Sequence, residues 1–458
     1  MQITKIDVLW NYAATFLKIA SSSLLLPFIL KMMSSETVGI WIIFITITAF
    51  SSLLDFGFSS SFTRNITYVF SGVKTLKING FETVTNKDFA VDFGLLKGVI
   101  FAMKWFYSRM AILLFFLLTT FGTYYIYNIL QDYNGEHKEI YISWALLCLI
   151  STYNLYTLYY DSLLQGKGLI KKSKQITIIG QLVYLAIAAI LIINGHGLIA
   201  IVSAQASSVI IIRLLSYYSF FTNDMKDKLS SAINQTNKEI IKIITPNAVK
   251  VGLTSLGAFM VLKSSIIIGS LNLSLNDIAS YGITMQLISI IGILGGIYTA
   301  TYQPKIAQLR IANNKQAIKK LYLKGQFILI LTYVAGTIVL LMLGNWGMNL
   351  IDSKTQLIPN IMISIIMIIS FLESNHGIAG GILLTKNEVP FFKASIFSGL
   401  ATVLLLFLLF EFWNFGIWVM ILAPGIAQAT YQNWKWPLVV YHELEINIRD
   451  ILKVIKFK

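Results

Sequence analysis

Long apolar stretches recur along the whole chain, and they constrain its fold more than any other feature. We count twelve between polar breaks, each long enough to cross a bilayer as a helix, which takes about 17 to 25 residues. The predicted spans are residues 8–30, 38–62, 108–130, 141–164, 176–193, 198–221, 244–268, 278–302, 327–343, 358–384, 391–410 and 416–440. Of the 458 residues 56% are hydrophobic and only 12% are charged, whereas soluble domains carry about 25% charged residues. The sequence therefore predicts an all-α integral membrane protein.

Lysines and arginines lie almost entirely in alternate connections between the predicted spans. If the amino terminus is cytoplasmic, the inner side holds 26 of them and the outer connections hold three, Lys31, Lys138 and Lys354. This asymmetry follows the positive-inside rule. Both termini are therefore predicted to be cytoplasmic, and most of the net charge of +15 is explained without a nucleic-acid partner.

Two segments outside the predicted spans combine apolar and basic residues at helical spacing. In the inner connection over residues 63–107 the apolar positions are Leu96, Val99, Ile100, Met103 and Phe106. Near the carboxyl terminus they are Leu444, Ile448, Ile451, Leu452 and Ile455. Both patterns predict amphipathic helices on the inner leaflet, the second as a cytoplasmic tail.

The chain also contains a weak internal repeat. Residues 36–64 align without a gap on residues 276–304, and Asn11 opens the first span as Asn247 opens the seventh. The repeat coincides with a division of the spans into six and six. We therefore predict an amino-terminal six-helix lobe over residues 1–221, a cytoplasmic connection over 222–243, a carboxy-terminal six-helix lobe over 244–440 and the amphipathic tail over 441–458.

Ionisable residues inside a span mark a cavity, a partner or a transport route, because each costs at least about 2.5 to 3.5 kcal/mol in hydrocarbon. One face of the first span carries Asn11, Ala14, Lys18 and Ser21, and one face of the seventh carries Asn247, Lys250, Thr254 and Gly257. We expect these two cationic stripes to face each other across a cleft. The alternative is that each lysine pairs with a carboxylate, for example Lys18 with Asp55.

Further ionisable residues lie in other parts of the spans. Arg213 lies in the sixth span, and Lys263 lies near the outer end of the seventh, where its alternative is to reach the outer interface. The embedded acids are Asp55, Asp161 and Glu373. Glu373 and His376 share a face of the tenth span, either as a proton-exchanging pair or as a simple buried hydrogen bond. One Glu-x-x-His motif is only half of a di-metal ligand set, so we predict no metal site.

Motifs of known enzyme chemistry are missing from the sequence. It contains no P-loop, no nucleophile elbow, and no cluster of cysteine and histidine in any loop. The single cysteine, Cys148, permits neither an intrachain disulfide nor a thiolate metal site. The sequence therefore predicts a membrane protein that is not an enzyme and has no cofactor.

A family resemblance is carried by SSETVGIW at residues 34–41 and by LLDFGFSSSFTRNITYVFSG at residues 53–72. Together they resemble the second-helix region of Wzx-type bacterial polysaccharide (O-unit) flippases of the multidrug/oligosaccharidyl-lipid/polysaccharide exporter superfamily. The resemblance implies a MATE-like fold of two six-helix lobes around a central cleft. It also implies that an undecaprenyl-pyrophosphate-linked oligosaccharide, such as an O-antigen or capsule repeat unit, is flipped from the inner to the outer leaflet of the bacterial inner membrane.

With this resemblance, the polar side chains inside the spans fall into two predicted groups. The substrate-binding group is Lys18, Lys250, Arg213, Asn11, Asn247, Thr254 and Lys263. The coupling group, for a proton or a sodium ion, is Asp55, Asp161, Glu373 and His376. We expect a monomer that works by alternating access, contacts membrane lipids and associates with other polysaccharide-assembly membrane proteins.

Two other classes of protein remain open. A cation-coupled multidrug exporter would have the same fold, but its cleft should be acidic to accept cationic drugs, whereas embedded cations outnumber embedded acids here. A membrane glycan polymerase or ligase would be an enzyme with a long outer loop that carries catalytic arginines or histidines. The predicted outer connections are short and poor in both residue types.

Overall fold

All regular secondary structure in the described part of the chain is helical. The computed structural model describes residues 5–76, 91–233, 237–311, 313–386, 389–413, 415–447 and 450. The first eleven α-helices are α1 (Lys5–Met32), α2 (Ser35–Ser51), α3 (Phe58–Phe70), α4 (Phe93–Leu117), α5 (Thr123–Ile129), α6 (His137–Tyr156), α7 (Tyr159–Gly166), α8 (Ile170–Ile193), α9 (Leu198–Phe220), α10 (Asn223–Ser231) and α11 (Asn237–Gly269). The others are α12 (Leu275–Ile311), α13 (Lys315–Leu350), α14 (Asn360–Leu384), α15 (Phe392–Trp413), α16 (Ile417–Ala429) and α17 (Gln432–Glu443).

Ten helical segments among the described residues are long and apolar enough to cross a membrane. They are Ser35–Asp55, Phe93–Ile129, His137–Gly166, Ile170–Ile193, Leu198–Phe220, Ala248–Gly269, Leu275–Gln303, Lys315–Leu350, Asn360–Leu384 and Phe392–Trp413. Each overlaps one of the predicted spans. The first and last predicted spans are not among the ten: α1 covers residues 8–30 as one helix, whereas residues 416–440 are divided between α16 and α17.

Helix packing divides the chain into two compact units. The first comprises Met1–Met33 and Phe44–Leu253, and the second comprises Ser34–Ile43 and Thr254–Lys458. In the first unit α8 packs on α1 and α9, and α4 packs on α6. In the second unit α12 packs on α13 and α14, and α14 packs on α17. The lobe boundaries that the sequence suggests stay a prediction.

The second predicted span, residues 38–62, is not one continuous helix. α2 and α3 are separated by a 3-10 turn (Ser52–Asp55) and by Phe56 and Gly57, whose left-handed φ angles are 45° and 71°. Asp55 stabilises this break because its carboxylate accepts the backbone N–H of Ser59 at 3.0 Å, one of the unpaired donors in the first turn of α3. The LLDFG run is therefore a break in the span.

The third predicted span begins well before residue 108. α4 begins at Phe93 and continues into α5 through a π-helical turn, Leu118–Gly122. The five apolar positions assigned to an inner-leaflet helix are all buried within α4. The prediction of a separate surface helix is wrong, because this apolar face packs inside the protein, where α4 contacts α3 and α6.

The last predicted span, residues 416–440, is also interrupted. α16 and α17 are separated at Thr430 and Tyr431. The side chains of Gln428, before the break, and Asn433, after it, both hydrogen-bond to α14. Polar contacts with α14 thus accompany the break. They could not be predicted from a run of mostly apolar residues.

Candidate functional site

The break between α2 and α3 carries a carboxylate network within the first unit. Tyr107 Oη donates to Asp55 Oδ1 at 2.6 Å, and the Ser59 N–H donates to the same oxygen at 3.0 Å. Ser59 Oγ lies 3.2 Å from Ser162 Oγ and so joins α3 to α7. Asp55 is thereby held by neutral donors from α3 and α4. The alternative prediction, that Asp55 pairs with Lys18, stays a prediction because the Lys18 side chain lies outside the described residues.

Arg213 of α9 forms an ion pair inside the first unit. Its Nη1 lies 2.9 Å from Asp161 Oδ2 on α7, and its Nη2 donates to Asn154 Oδ1 on α6 at 2.7 Å. The Arg213 side chain is only 5% exposed. The guanidinium therefore ties three helices together, and its Nε–H is buried without a partner among the described residues.

Tyrosine rings connect two of the predicted coupling carboxylates in the first unit, Asp55 and Asp161. Tyr107, which donates to Asp55, stacks on Tyr159 with ring centroids 6.5 Å apart. Tyr159 in turn contacts Tyr160 at 4.4 Å, and Asp161 is the next residue in the chain. The structure thus places two of the predicted coupling residues at the ends of one aromatic group.

α11 carries four of the predicted substrate-binding residues. Lys250 is exposed, and Thr254, one turn later, is half-buried. Lys263 is also half-buried, and it makes no hydrogen bond or ion pair with any residue of the described ranges. The side chains of Asn11, Lys18 and Asn247 lie outside the described residues, although their backbones belong to α1 and α11.

A second polar cluster lies in the second unit, where α14 meets α16 and α17. Gln428 Nε2 donates to Glu373 Oε2 at 2.9 Å, and His376 Nδ1 lies 3.0 Å from Asn433 Oδ1. His376 Nε2 lies 3.7 Å from Glu373 Oε1. Glu373 and His376 therefore face each other along one side of α14, within a string of four hydrogen-bonding side chains. Their role in coupling stays a prediction.

A salt-bridge cluster lies at one end of the second unit, outside the predicted spans. Arg310 Nη1 contacts Glu443 Oε1, and Lys386 Nζ lies 2.6 Å from Glu443 Oε2. Arg310 Nε also donates to Thr385 Oγ1 at 3.0 Å. Burial alone would raise the pKa of Glu443, but Arg310 and Lys386 lower it by more and hold the pKa below its ordinary value. This cluster joins the ends of α12, α14 and α17.

Four residues of these networks were missed by the sequence analysis: Tyr107, Asn154, Gln428 and Asn433. Each is a polar side chain in or beside a predicted span. That position was the only feature of the sequence that could have indicated its role. The helix that such a side chain faces depends on packing between segments more than 50 residues apart. In the part of the chain that is described, no three histidine, cysteine or acidic side chains form a group able to hold a metal ion.

Comparison with known proteins gives structural neighbours only. No protein-family model matches the chain, and no curated protein matches it. An inward-facing multidrug resistance MATE family transporter of the MOP superfamily aligns over 97% of this chain and 96% of its own, with a TM-score of 0.64 and 13% identity. The MATE multidrug transporter DinF-BH aligns over 98% of this chain and 97% of its own, with a TM-score of 0.62 and 15% identity.

The lipid II flippase MurJ, in an inward closed conformation, also has a similar fold. It aligns over 98% of this chain and 90% of its own, with a TM-score of 0.61 and 13% identity. At such identities the likeness establishes the fold alone. The predicted all-α, MATE-like fold is confirmed, and it is a fold found in both a multidrug transporter and a lipid flippase.

Proposed function

We propose that this protein is a flippase for a polyprenyl-pyrophosphate-linked oligosaccharide, of the O-antigen or capsule type, in the inner membrane of a bacterium. Two observations support the class: the fold is one that MATE transporters and a lipid II flippase have, and residues 34–72 resemble the Wzx-type flippases. The protein acts as a monomer, by alternating access, together with other polysaccharide-assembly membrane proteins. It uses no cofactor and binds no nucleic acid.

The observation that carries the choice of substrate is Lys263. It is a half-buried cation in a helix long and apolar enough to span a membrane, with no partner among the described residues. A lone ammonium in such a segment is costly and favours an anionic ligand. Arg213, by contrast, is already paired with Asp161. A pyrophosphate is an anion of the required kind, whereas a cationic drug would be repelled.

The pyrophosphate must cross about 30 Å of hydrocarbon while the polyprenyl tail remains in lipid. Lys263, Lys18 and Lys250 together neutralise it, because charge-assisted hydrogen bonds are strong at low dielectric. Asn11, Asn247 and Thr254 bind neighbouring hydroxyls. Arg213, which is already paired with Asp161, assists as a further cation.

Proton coupling is proposed for the Glu373 and His376 pair. His376 Nδ1 donates its proton to Asn433 Oδ1, which leaves Nε2 facing the Glu373 carboxylate at 3.7 Å. Two lone pairs at that distance repel each other, so one proton between the two groups stabilises the pair. Its loss or gain changes the charge of the second unit. Asp55 and Asp161 provide the corresponding acidic groups, for a proton or a sodium ion, in the first unit.

The test is transport by variants at Lys263. Lys263→Ala should strongly reduce surface polysaccharide and cause lipid-linked oligosaccharide to accumulate on the inner leaflet, because the anion loses one of its counter-charges. Lys263→Arg should retain most transport, since the charge is kept. Lys138→Ala is the matched control, because Lys138 is an exposed lysine that is predicted to lie on the outer side.

Two results would overturn the proposal. Wild-type surface polysaccharide in cells with Lys263→Ala would show that the pyrophosphate is handled elsewhere. Efflux of cationic dyes by the wild-type protein in proteoliposomes, with no movement of lipid-linked oligosaccharide, would instead favour the multidrug exporter. Recovery of the oligosaccharide unchanged from the proteoliposomes would also exclude an enzymatic polymerase or ligase.

A further inference from the structure

A polar pocket in the second unit has no part in the proposed transport step. Its volume is about 550 Å³, within the range of about 300 to 1,000 Å³ that small-molecule sites occupy. Its polar lining residues are Asp277, Ser280, Asn345, Asn349 and Gln356. The topology prediction places this pocket on the outer side, because Gln356 lies in the same loop as Lys354.

The loop between α13 and α14 is fixed against the pocket by hydrogen bonds. Ser353 Oγ donates to the Thr355 carbonyl at 2.6 Å, and the Ile358 N–H donates to Thr284 Oγ1 on α12 at 3.3 Å. Leu357 and Ile358, which belong to this loop and line the pocket, are buried. The pocket wall is therefore preformed, which lowers the entropic cost of binding a ligand.

The amide side chains around the pocket are available to a ligand. Asn345 and Asn349 lie one turn apart on α13, and both are exposed, as is Gln356. None of the three makes a side-chain hydrogen bond with a described residue. Each amide offers two donors and an acceptor, so neighbouring amides can bind adjacent hydroxyl groups. Asp277, whose Oδ2 accepts from Ser274 Oγ at 2.7 Å, adds a carboxylate.

The residues that line the pocket favour a neutral ligand over a charged one. It contains a carboxylate and no lysine or arginine, so a phosphate would be repelled. A divalent cation would need more carboxylates than the single one from Asp277. Met348, Pro359 and Ile417 give the pocket apolar walls. Hydroxyl-binding amides beside apolar walls suit a sugar ring, which has hydroxyl edges and C–H faces.

We propose that this pocket binds neutral sugar residues of the transported oligosaccharide on the outer side of the membrane. Sugars that leave the transport path would be held there while the polyprenyl tail stays in the outer leaflet. The choice of ligand rests on the proposed function, but binding of the sugars is measured separately from transport.

The test is direct binding to the full-length protein in nanodiscs. The probe is the free oligosaccharide released by mild acid from the cell's own polyprenyl-linked pool. The wild-type protein should bind it saturably, and the double variant Asn345→Ala/Asn349→Ala should bind it at least tenfold more weakly. Asn194→Ala is the matched control, because Asn194 is an exposed amide in a predicted outer connection of the first unit.

A labelling experiment locates the bound sugar. The native Cys148 is buried, so a cysteine introduced as Asn345→Cys should be the main site for a membrane-impermeant maleimide. The free oligosaccharide should slow labelling at position 345 severalfold and leave labelling of Asn194→Cys unchanged. Equal labelling with and without the oligosaccharide, or unweakened binding by the double variant, would overturn the sugar site. Loss of flipping with intact, position-specific binding would overturn only the proposed function.

Discussion

At the scale of single residues, the Arg213 and Asp161 pair has the largest predicted effect on stability. Arg213 is 5% exposed and depends on Asp161 and Asn154 for its hydrogen bonds. Asp161→Ala leaves the guanidinium without its counter-charge. Loss of one partner of a fully buried pair costs about 3 to 5 kcal/mol, and because Asp161 is 32% exposed the loss should fall at the lower end of that range. We expect a decrease of that size in the free energy of unfolding, measured in detergent.

An exposed pair of similar geometry provides the control. Lys228 Nζ lies 2.8 Å from Asp224 Oδ2, with the two side chains 49% and 70% exposed. Asp224→Ala should therefore change stability by less than about 1 kcal/mol. The double variant Arg213→Met/Asp161→Leu should recover much of the loss, since it leaves no unpaired charge. Equal effects of Asp161→Ala and Asp224→Ala would contradict the structural role of the buried pair.

Glu443 provides a prediction of pH dependence outside the predicted spans. Its folded pKa lies below its ordinary value because Arg310 and Lys386 outweigh the effect of burial. A lowered folded pKa contributes stability above the unfolded pKa, about 4.3, and this contribution is lost as the pH falls through the folded pKa. Thermal unfolding from pH 7 to pH 3 should therefore show acid destabilisation that is weaker in Glu443→Gln.

The difference between wild type and Glu443→Gln should be greatest near neutral pH and should shrink in acid. Glu136→Gln is the control, because Glu136 is exposed, and its profile should follow the wild type. Profiles of wild type and Glu443→Gln that stay parallel at every pH would show that the salt bridges to Arg310 and Lys386 do not stabilise the folded protein.

At the scale of helices, the existence of most elements could be predicted from apolar length, but their breaks could not. A span such as residues 38–62 has the same apolar composition whether its helix is continuous or broken. The break at Phe56 and Gly57 depends on a local contact of Asp55 with Ser59. It also depends on the contact of Asp55 with Tyr107, which lies 52 residues away and is not encoded by the local sequence. In the local sequence, only Gly57 of the LLDFG run indicated a possible break, because glycine readily adopts a left-handed conformation.

Part of the candidate site could be predicted in the same way. The spacing of Glu373 and His376 placed both on one face of a helix, because helical geometry is local. Their partners Gln428 and Asn433 come from a segment that reads as one apolar run and is in fact divided between α16 and α17. Pairing between distant helices depends on tertiary packing, so the partners could not be predicted.

The break between α2 and α3 packs closely on Gly252 of α11, and this contact can be tested. A Cβ at Gly252 would lie 2.8 Å from Phe56 Cα, so Gly252→Ala should displace the left-handed turn and lower the unfolding temperature. Gly57→Ala should cost about 1 to 2 kcal/mol, because an L-residue is strained in the left-handed conformation. Thermal unfolding in detergent measures both effects.

Gly296→Ala is the matched control for these variants, since among the described residues no atom outside its own stretch of helix backbone lies within 4 Å of a Cβ built there. It should be neutral or slightly stabilising, because alanine favours a helix more than glycine does. If Gly252→Ala were as stable as Gly296→Ala, α11 would not pack closely on the turn at Phe56.

At the scale of the whole molecule, the fold is established and the orientation remains a prediction. The orientation follows from the distribution of lysines and arginines among the connections. Two lysines on which the predicted orientation depends are exposed. Lys320 lies near the start of α13, and Lys354 lies in the loop after it. Between them α13 continues from Lys320 to Leu350, which is more than long enough to separate the two sides of a bilayer.

The orientation is tested by single cysteines in the full-length protein. Lys354→Cys should react with a membrane-impermeant maleimide in intact cells, because residue 354 is predicted to be outside. Lys320→Cys should react only after the cells are permeabilised, because residue 320 is predicted to be cytoplasmic. Cys148 is buried and gives little background, and the unsubstituted protein measures it. Equal labelling of both variants in intact cells would contradict the predicted topology. It would also contradict the outer location of the polar pocket, which depends on that topology.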